Sequence, residues 1–112
     1  MSERSSKLLL EDILEAITTM QEYTKEINSY TDFVSNVMLS QAVFFNFTII
    51  GEATSQIPQS FKDQNRHVYW RVIKDIRNYI VHEYFGIKPK VIWDTIQFEL
   101  NDLKTQIQKH FR

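Results

Sequence analysis

Four side chains able to do chemistry crowd into the segment Tyr69–Phe85, YWRVIKDIRNYIVHEYF: Arg77, Asn78, His82 and Tyr84. A guanidinium presents a planar fork of donors that fits two phosphate oxygens and stabilises charge developing at phosphorus. Imidazole is the side chain whose ordinary titration lets it take up and release a proton near neutral pH. An amide beside either group can orient it or contact a phosphate. Together the types point to an anionic substrate and to proton transfer.

These residues need an element to hold them. At about 100° of rotation per residue, Tyr69, Trp70, Ile73, Ile76, Ile80, Val81 and Tyr84 share one apolar face, so the segment is expected to be a helix. Arg77 falls inside that face, where a lone guanidinium is costly to bury and calls for an acidic partner. His67, Arg71, Lys74, Asn78 and His82 recur every three or four residues and form a second line on the same helix. That line is either an ordinary solvated face or a cationic track for a polyanion backbone.

Arg77-Asn78-Tyr79-Ile80-Val81-His82-Glu83-Tyr84 fits R-N-x-x-x-H-x-Y, and Ile49-Ile50-Gly51-Glu52-Ala53 fits I-I-G-E-A. With Trp70 before the motif, and Gly86, Ile87 and Val91-Ile92-Trp93 after it, the chain from Leu8 onward resembles the HEPN superfamily. It is closest in pattern to the HepT-like toxins of HepT/MntA toxin–antitoxin pairs. The resemblance implies a metal-independent endoribonuclease acting on tRNA or mRNA, with tRNA favoured. Arg77, His82 and Asn78 would be catalytic, with His82 moving protons at the ribose 2′-hydroxyl or the leaving oxygen. His67, Arg71 and Lys74 would guide the RNA, and Glu52 would support Arg77. Tyr84 would be the residue that a MntA-like nucleotidyltransferase antitoxin silences by adenylylation. Glu83, between His82 and Tyr84, would repel RNA phosphates. The resemblance also implies a homodimer, and geometry asks for one: Arg77 and His82 are separated by about 140° around a helix and do not easily close on one phosphate. The alternative is a non-catalytic helical subunit that binds nucleotide or substrate for a partner nucleotidyltransferase. A third reading is a structural bundle in which Arg77 and Glu52 form a buried pair.

Composition narrows the rest. The 112 residues suit a single domain, 1–112. A 43% hydrophobic fraction is enough for a core, and only two Gly and two Pro favour long helices. The absence of cysteine removes disulfides and thiolate metal sites and fits the cytoplasm. MSERSSKLLLEDILEAI carries acids within its apolar run and does not read as a signal peptide. No apolar run approaches the roughly 20 residues of a membrane span. The net charge of −1 means that any RNA contact must come from a local basic patch. His82-Glu83 opens an H-E-x-x-H pattern, but Gly86 stands at its last position, so no zinc helix is expected. Neither metal nor cofactor is called for.

Four helices are expected. The first starts at Ser5 or Ser6 and carries the stripe Leu9, Leu10, Ile13, Leu14, Ile17, Met20, Thr24 and Ile27. The second is capped by Thr31, ends at Ile57-Pro58, and lines one side with Phe33, Val34, Val37, Met38, Ala42, Phe45, Ile49, Glu52 and Ala53, thickened by Phe44, Phe47 and Ile50. Its apolar side is wide enough to need several neighbours or a second copy of the chain. Gln59–Arg66 reads as a loop. The third is the Tyr69–Phe85 helix, closed by Gly86 as its C′ residue. The fourth begins at Pro89 and carries Val91, Ile92, Ile96, Leu100, Leu103 and Ile107, with Trp93 and Phe98 beside them. The expected architecture is an all-α antiparallel four-helix bundle, paired as a two-fold homodimer.

Overall fold

Ser5 starts the first helix, as its hydroxyl type and position predict. Its Oγ accepts from the Leu8 amide at 3.2 Å, occupying one of the donors that a helix N-terminus leaves free. The computed structural model describes residues 4–83 and 86–111, and helix α1 runs Ser6–Thr24. It buries Leu9, Leu10, Ile13, Ala16, Ile17, Met20 and Thr24, so the expected stripe holds, with Ala16 added. Ile27 lies beyond the end of the helix.

The expected second helix is two helices, α2 (Tyr30–Ser35) and α3 (Val37–Gln56). Ser29, not Thr31, caps α2, with its Oγ accepting from Asp32 N at 3.1 Å. Asn36 breaks the run. Its backbone is extended, and its Oδ1 accepts from Leu39 N at 3.0 Å, so an amide that competes with helical geometry becomes the cap of α3. Ser40 Oγ ties the joint by donating to Phe33 O at 3.1 Å. The break turns Phe33 fully into the core beside Trp93, ring centroids 5.2 Å apart. Asn36→Ala is expected to lower stability by about 1 kcal/mol in denaturant titration. An unchanged midpoint would mean the cap carries no energy.

α3 buries Ser40, Val43, Asn46, Phe47, Ile50, Gly51, Ala53 and Thr54. The expected line holds at Phe33, Phe47, Ile50 and Ala53 and is corrected at Val37, Met38, Phe45 and Glu52, which are exposed. Apolar side chains surround this helix, so its periodicity does not single out one face. Its neighbours decide, and they are α1 and the helix α5 (Trp70–His82). Among the described residues, α3 alone has the length and mean hydropathy of a membrane span.

Gln59–Gln64 is a short helix, α4, rather than loop. Pro58 sets its entry, and Gln59 Nε2 reaches Asp63 Oδ1 one turn on at 3.0 Å. Phe61 meets the ring of His110 edge-on at 5.4 Å, which fastens α4 to the short 3₁₀ turn Lys109–Phe111. The expected fourth helix is also two, α6 (Pro89–Phe98) and α7 (Leu100–Gln108), parted at Glu99. Ile92, Trp93, Ile96, Leu100, Leu103 and Ile107 are buried as expected, while Val91 and Phe98 are exposed. α1 also packs on α7, and α2 on α6. The all-helical class expected from the sequence holds, with no strand among the described residues.

Candidate functional site

α5 carries the candidate residues and is seated on α3 by Ile73 and Ile80, with Trp70, Val72 and Ile76 half-buried around them. Arg77 lies beside Gly51 of α3, and Trp70 and Arg71 line one cavity with Thr54 and Ser55. The helix is shorter at both ends than the apolar pattern predicts. Tyr69 is exposed and non-helical, its amide donating to Gln106 Oε1 at 2.8 Å. Buried Val68 and the bond from Trp70 Nε1 to Asn65 O at 3.1 Å hold the preceding turn. His67 therefore stands on that exposed turn and not on the cationic line of the helix. At the other end α5 stops at His82, with Glu83 as its C-cap. Gly86 is not a left-handed C′ residue, since its φ is not positive. Tyr84, the expected modification site, lies outside the described residues.

Gly51 lets the α3 backbone come close to Arg77: a Cβ there would run into Cβ and Cγ of that side chain. The guanidinium is then held from two sides. Nε and Nη2 donate to Glu52 Oε1 at 3.4 and 3.3 Å, and Nη1 donates to Asn78 Oδ1 at 3.3 Å. Glu52 is thus the acidic partner that the sequence asks for. The pair is not buried, however. The Arg77 side chain is 34% exposed and that of Glu52 52%, so Arg77 sits at the margin of the apolar face. Contacts of this length and exposure contribute little stability. They orient the guanidinium while leaving it accessible.

Arg77 and Asn78 form one end of a cleft of about 740 Å³ bounded by the C-terminal turn of α3, α4 and α5. Arg71 and Lys74 line it as well, so four of the expected residues share one cavity. Lys62 and Gln59 of α4, and Thr54 of α3, join them. Sequence reasoning missed these because Gln59–Arg66 reads as polar loop, and nothing local says which way α4 faces. Among the described residues Asp75 is the sole carboxylate in the wall, and it lies 3.9 Å from Arg71. Burial, and then the charge of Lys74, hold the Lys62 ammonium below the ordinary lysine range.

His82 does not line this cleft. It is exposed at the last position of α5. Glu83 N donates to Tyr79 O at 2.9 Å, and the Tyr79 hydroxyl accepts from Lys88 N at 2.8 Å. Tyr79 is a positioning residue that the motif hides among its variable places. Among the described residues, no three His, Asp or Glu side chains gather as metal ligands would.

The family model for ribonuclease HepT-like proteins matches residues 13–110. A protein of Thermococcus cleftensis named probable ribonuclease HepT is 38% identical over 106 residues, covering 95% of this chain and 96% of its own. This chain belongs to the HepT-like ribonuclease family. Two further relatives carry the name of putative RNase. The one from Methanocaldococcus jannaschii is 34% identical, across 96% of this chain and 98% of its own. The one from Caldanaerobacter subterraneus is 36% identical, across 89% and 88%. No solved structure matches the chain.

Proposed function

We propose that this chain is a metal-independent endoribonuclease, the toxin of a toxin–antitoxin pair, acting in the cytoplasm on RNA with tRNA favoured. The observation that carries the reading is the seating of Arg77 and Asn78 in a cleft lined by Lys62, Arg71 and Lys74, in a chain of a ribonuclease family. In this reaction a base removes the proton of the ribose 2′-hydroxyl, and the oxygen attacks the adjacent phosphorus. The bond from phosphorus to the 5′-oxygen breaks, and an acid protonates the leaving oxygen. The products are a 2′,3′-cyclic phosphate and a 5′-hydroxyl. Arg77 neutralises charge on the non-bridging oxygens, and Asn78 and Glu52 orient it. His82 transfers the protons. Arg71, Lys74 and the nearby His67 hold the backbone of the RNA.

One copy leaves His82 outside the cleft of Arg77. The reading therefore takes residues 1–112 as one antiparallel four-helix bundle, with α1, α3, α5 and the broken pair α6–α7 as its members. Two bundles meet about a two-fold axis and combine Arg77 and His82 from both copies around one RNA. The exposed Met38 (83%) and Phe45 (65%) on α3 and Val81 on α5 supply apolar surface for the contact. A MntA-like nucleotidyltransferase is the proposed antitoxin. Adenylate on Tyr84 would place an anion two residues from His82 and compete with RNA for the cationic site.

The test is cleavage of total tRNA in EDTA by protein of confirmed unmodified mass, with sedimentation run alongside. The expected result is cleavage that survives chelation, cyclic-phosphate ends, and a two-chain species. An unmodified protein that cleaves nothing but binds nucleotide would instead support the second reading, a non-catalytic subunit serving a partner nucleotidyltransferase. A mass raised by adenylate would make Tyr84 the place to map it.

A further inference from the structure

We propose that the cleft between α3, α4 and α5 is a subsite for the nucleotide adjoining the scissile phosphate of single-stranded RNA. Lys62 and Lys74 take its phosphate, Thr54 donates to it, and Trp70 offers a surface to its base. The proposal rests on the ribonuclease reading and adds to it residues that the motif does not contain.

Three independent observations converge on the cavity. The first is charge. The chain carries a net charge of −1, yet four cations share this wall; Arg71 faces Asp75 and Arg77 faces Glu52, which leaves Lys62 and Lys74 as the excess positive charge. Burial and the charge of Lys74 both work against the Lys62 ammonium, and an anion seated between the two lysines relieves the repulsion.

The second is an unused donor. Thr24, Thr48, Thr95 and Thr105 each donate to the carbonyl four residues back on their own helix. Thr54 does not. The residue is 4% exposed and lines the cleft, and its Oγ1, itself buried in the wall, has no partner among the described residues. A buried hydroxyl without a partner is unfavourable, and a phosphate or ribose oxygen in the cleft would satisfy it.

The third is shape. About 740 Å³ is more than one phosphate fills and lies in the range that encloses a small ligand. The half-buried Trp70 is the aromatic side chain in the wall, and aromatic rings of this kind stack bases without regard to sequence. The cavity ends on Arg77 and Asn78, so a nucleotide lying in it continues directly from a phosphate held there.

The test uses the full chain and a fluorescent oligonucleotide carrying 2′-O-methyl groups, which lacks the nucleophile and stays intact. Lys62→Gln is expected to weaken binding several-fold and to lower the slope of log affinity against log salt by about 0.7, the share of one phosphate contact on a single strand. Lys25→Gln, on an exposed residue at the end of α1, leaves both as in the wild type. Thr54→Val keeps the shape and removes the donor. It is expected to weaken binding with the salt slope unchanged and the melting temperature no lower, an outcome that a structural role for the hydroxyl would not produce. If the wild type cleaves RNA but Lys62→Gln and Thr54→Val both bind as it does, the subsite is refuted and the ribonuclease reading stands. If the wild type neither cleaves nor binds RNA, both fall together.

Discussion

His82→Ala is expected to reduce RNA cleavage by about 10²–10⁴-fold, the usual contribution of a positioned acid or base. Stability should change by no more than about 0.5 kcal/mol, as for other exposed positions. The two halves of the prediction come from different facts. The residue is exposed at the last position of α5 and lies outside the hydrophobic core, so its removal leaves packing alone. The 2′-hydroxyl, by contrast, is a poor nucleophile until its proton is taken, and imidazole is the group here suited to take it near neutral pH. Cleavage kinetics on tRNA, with a thermal melt of the same sample, separate the two. Wild-type rates in the variant would remove His82 from the mechanism and leave Arg77 and the cationic cleft as a binding site alone.

Gly51→Val should damage both stability and activity, through a single contact. The new side chain has no room, because even its Cβ would strike Cβ and Cγ of Arg77, and these atoms sit too near the α5 backbone to swing aside. Overpacking of this sort costs about 1–3 kcal/mol. The improved helix propensity over glycine returns only a few tenths of a kcal/mol. α3 and α5 must then separate, or Arg77 must leave its bonds to Glu52 and Asn78. Cleavage should fall even when assayed well below the melting temperature, since a guanidinium misplaced by about 1 Å can lose on the order of a hundredfold in rate. Gly51→Ala gives a milder form, in which the propensity gain of about 1 kcal/mol opposes the clash. A valine variant with native melting and native rate would show that the close approach of the two helices has no part in orienting Arg77.

The two predictions mark different kinds of information in the chain. His82 and Arg77 lie on one helix because Ile73, Ile76 and Ile80 recur at helical spacing, and that is legible without any structure. The same holds for the Ser5 cap, the stop before Pro58, the start at Pro89, and the need of Arg77 for an acid. Glu52 could be named as that acid because it continues the apolar line of the second expected helix. Asn36 had a legible signal that the apolar pattern overrode: an amide able to cap Leu39 sits in the middle of the expected helix.

What the sequence determined by itself is therefore local. It set the helical class, the helix boundaries at Ser5, Pro58 and Pro89, and the arrangement of Arg77, Asn78 and His82 along α5. Tertiary structure alone decided which side of α3 faces inward, since apolar residues surround that helix and only α1 and α5 choose between Phe47 and Phe45. It took His67 off the helix, because burying Val68 fixes the preceding turn. It also brought Lys62 and Thr54 into one cleft wall with Lys74, twelve and twenty residues away along the chain. Periodicity reports what a segment repeats along its own axis. A cavity depends on how separate segments pack, and that is settled only when the core closes.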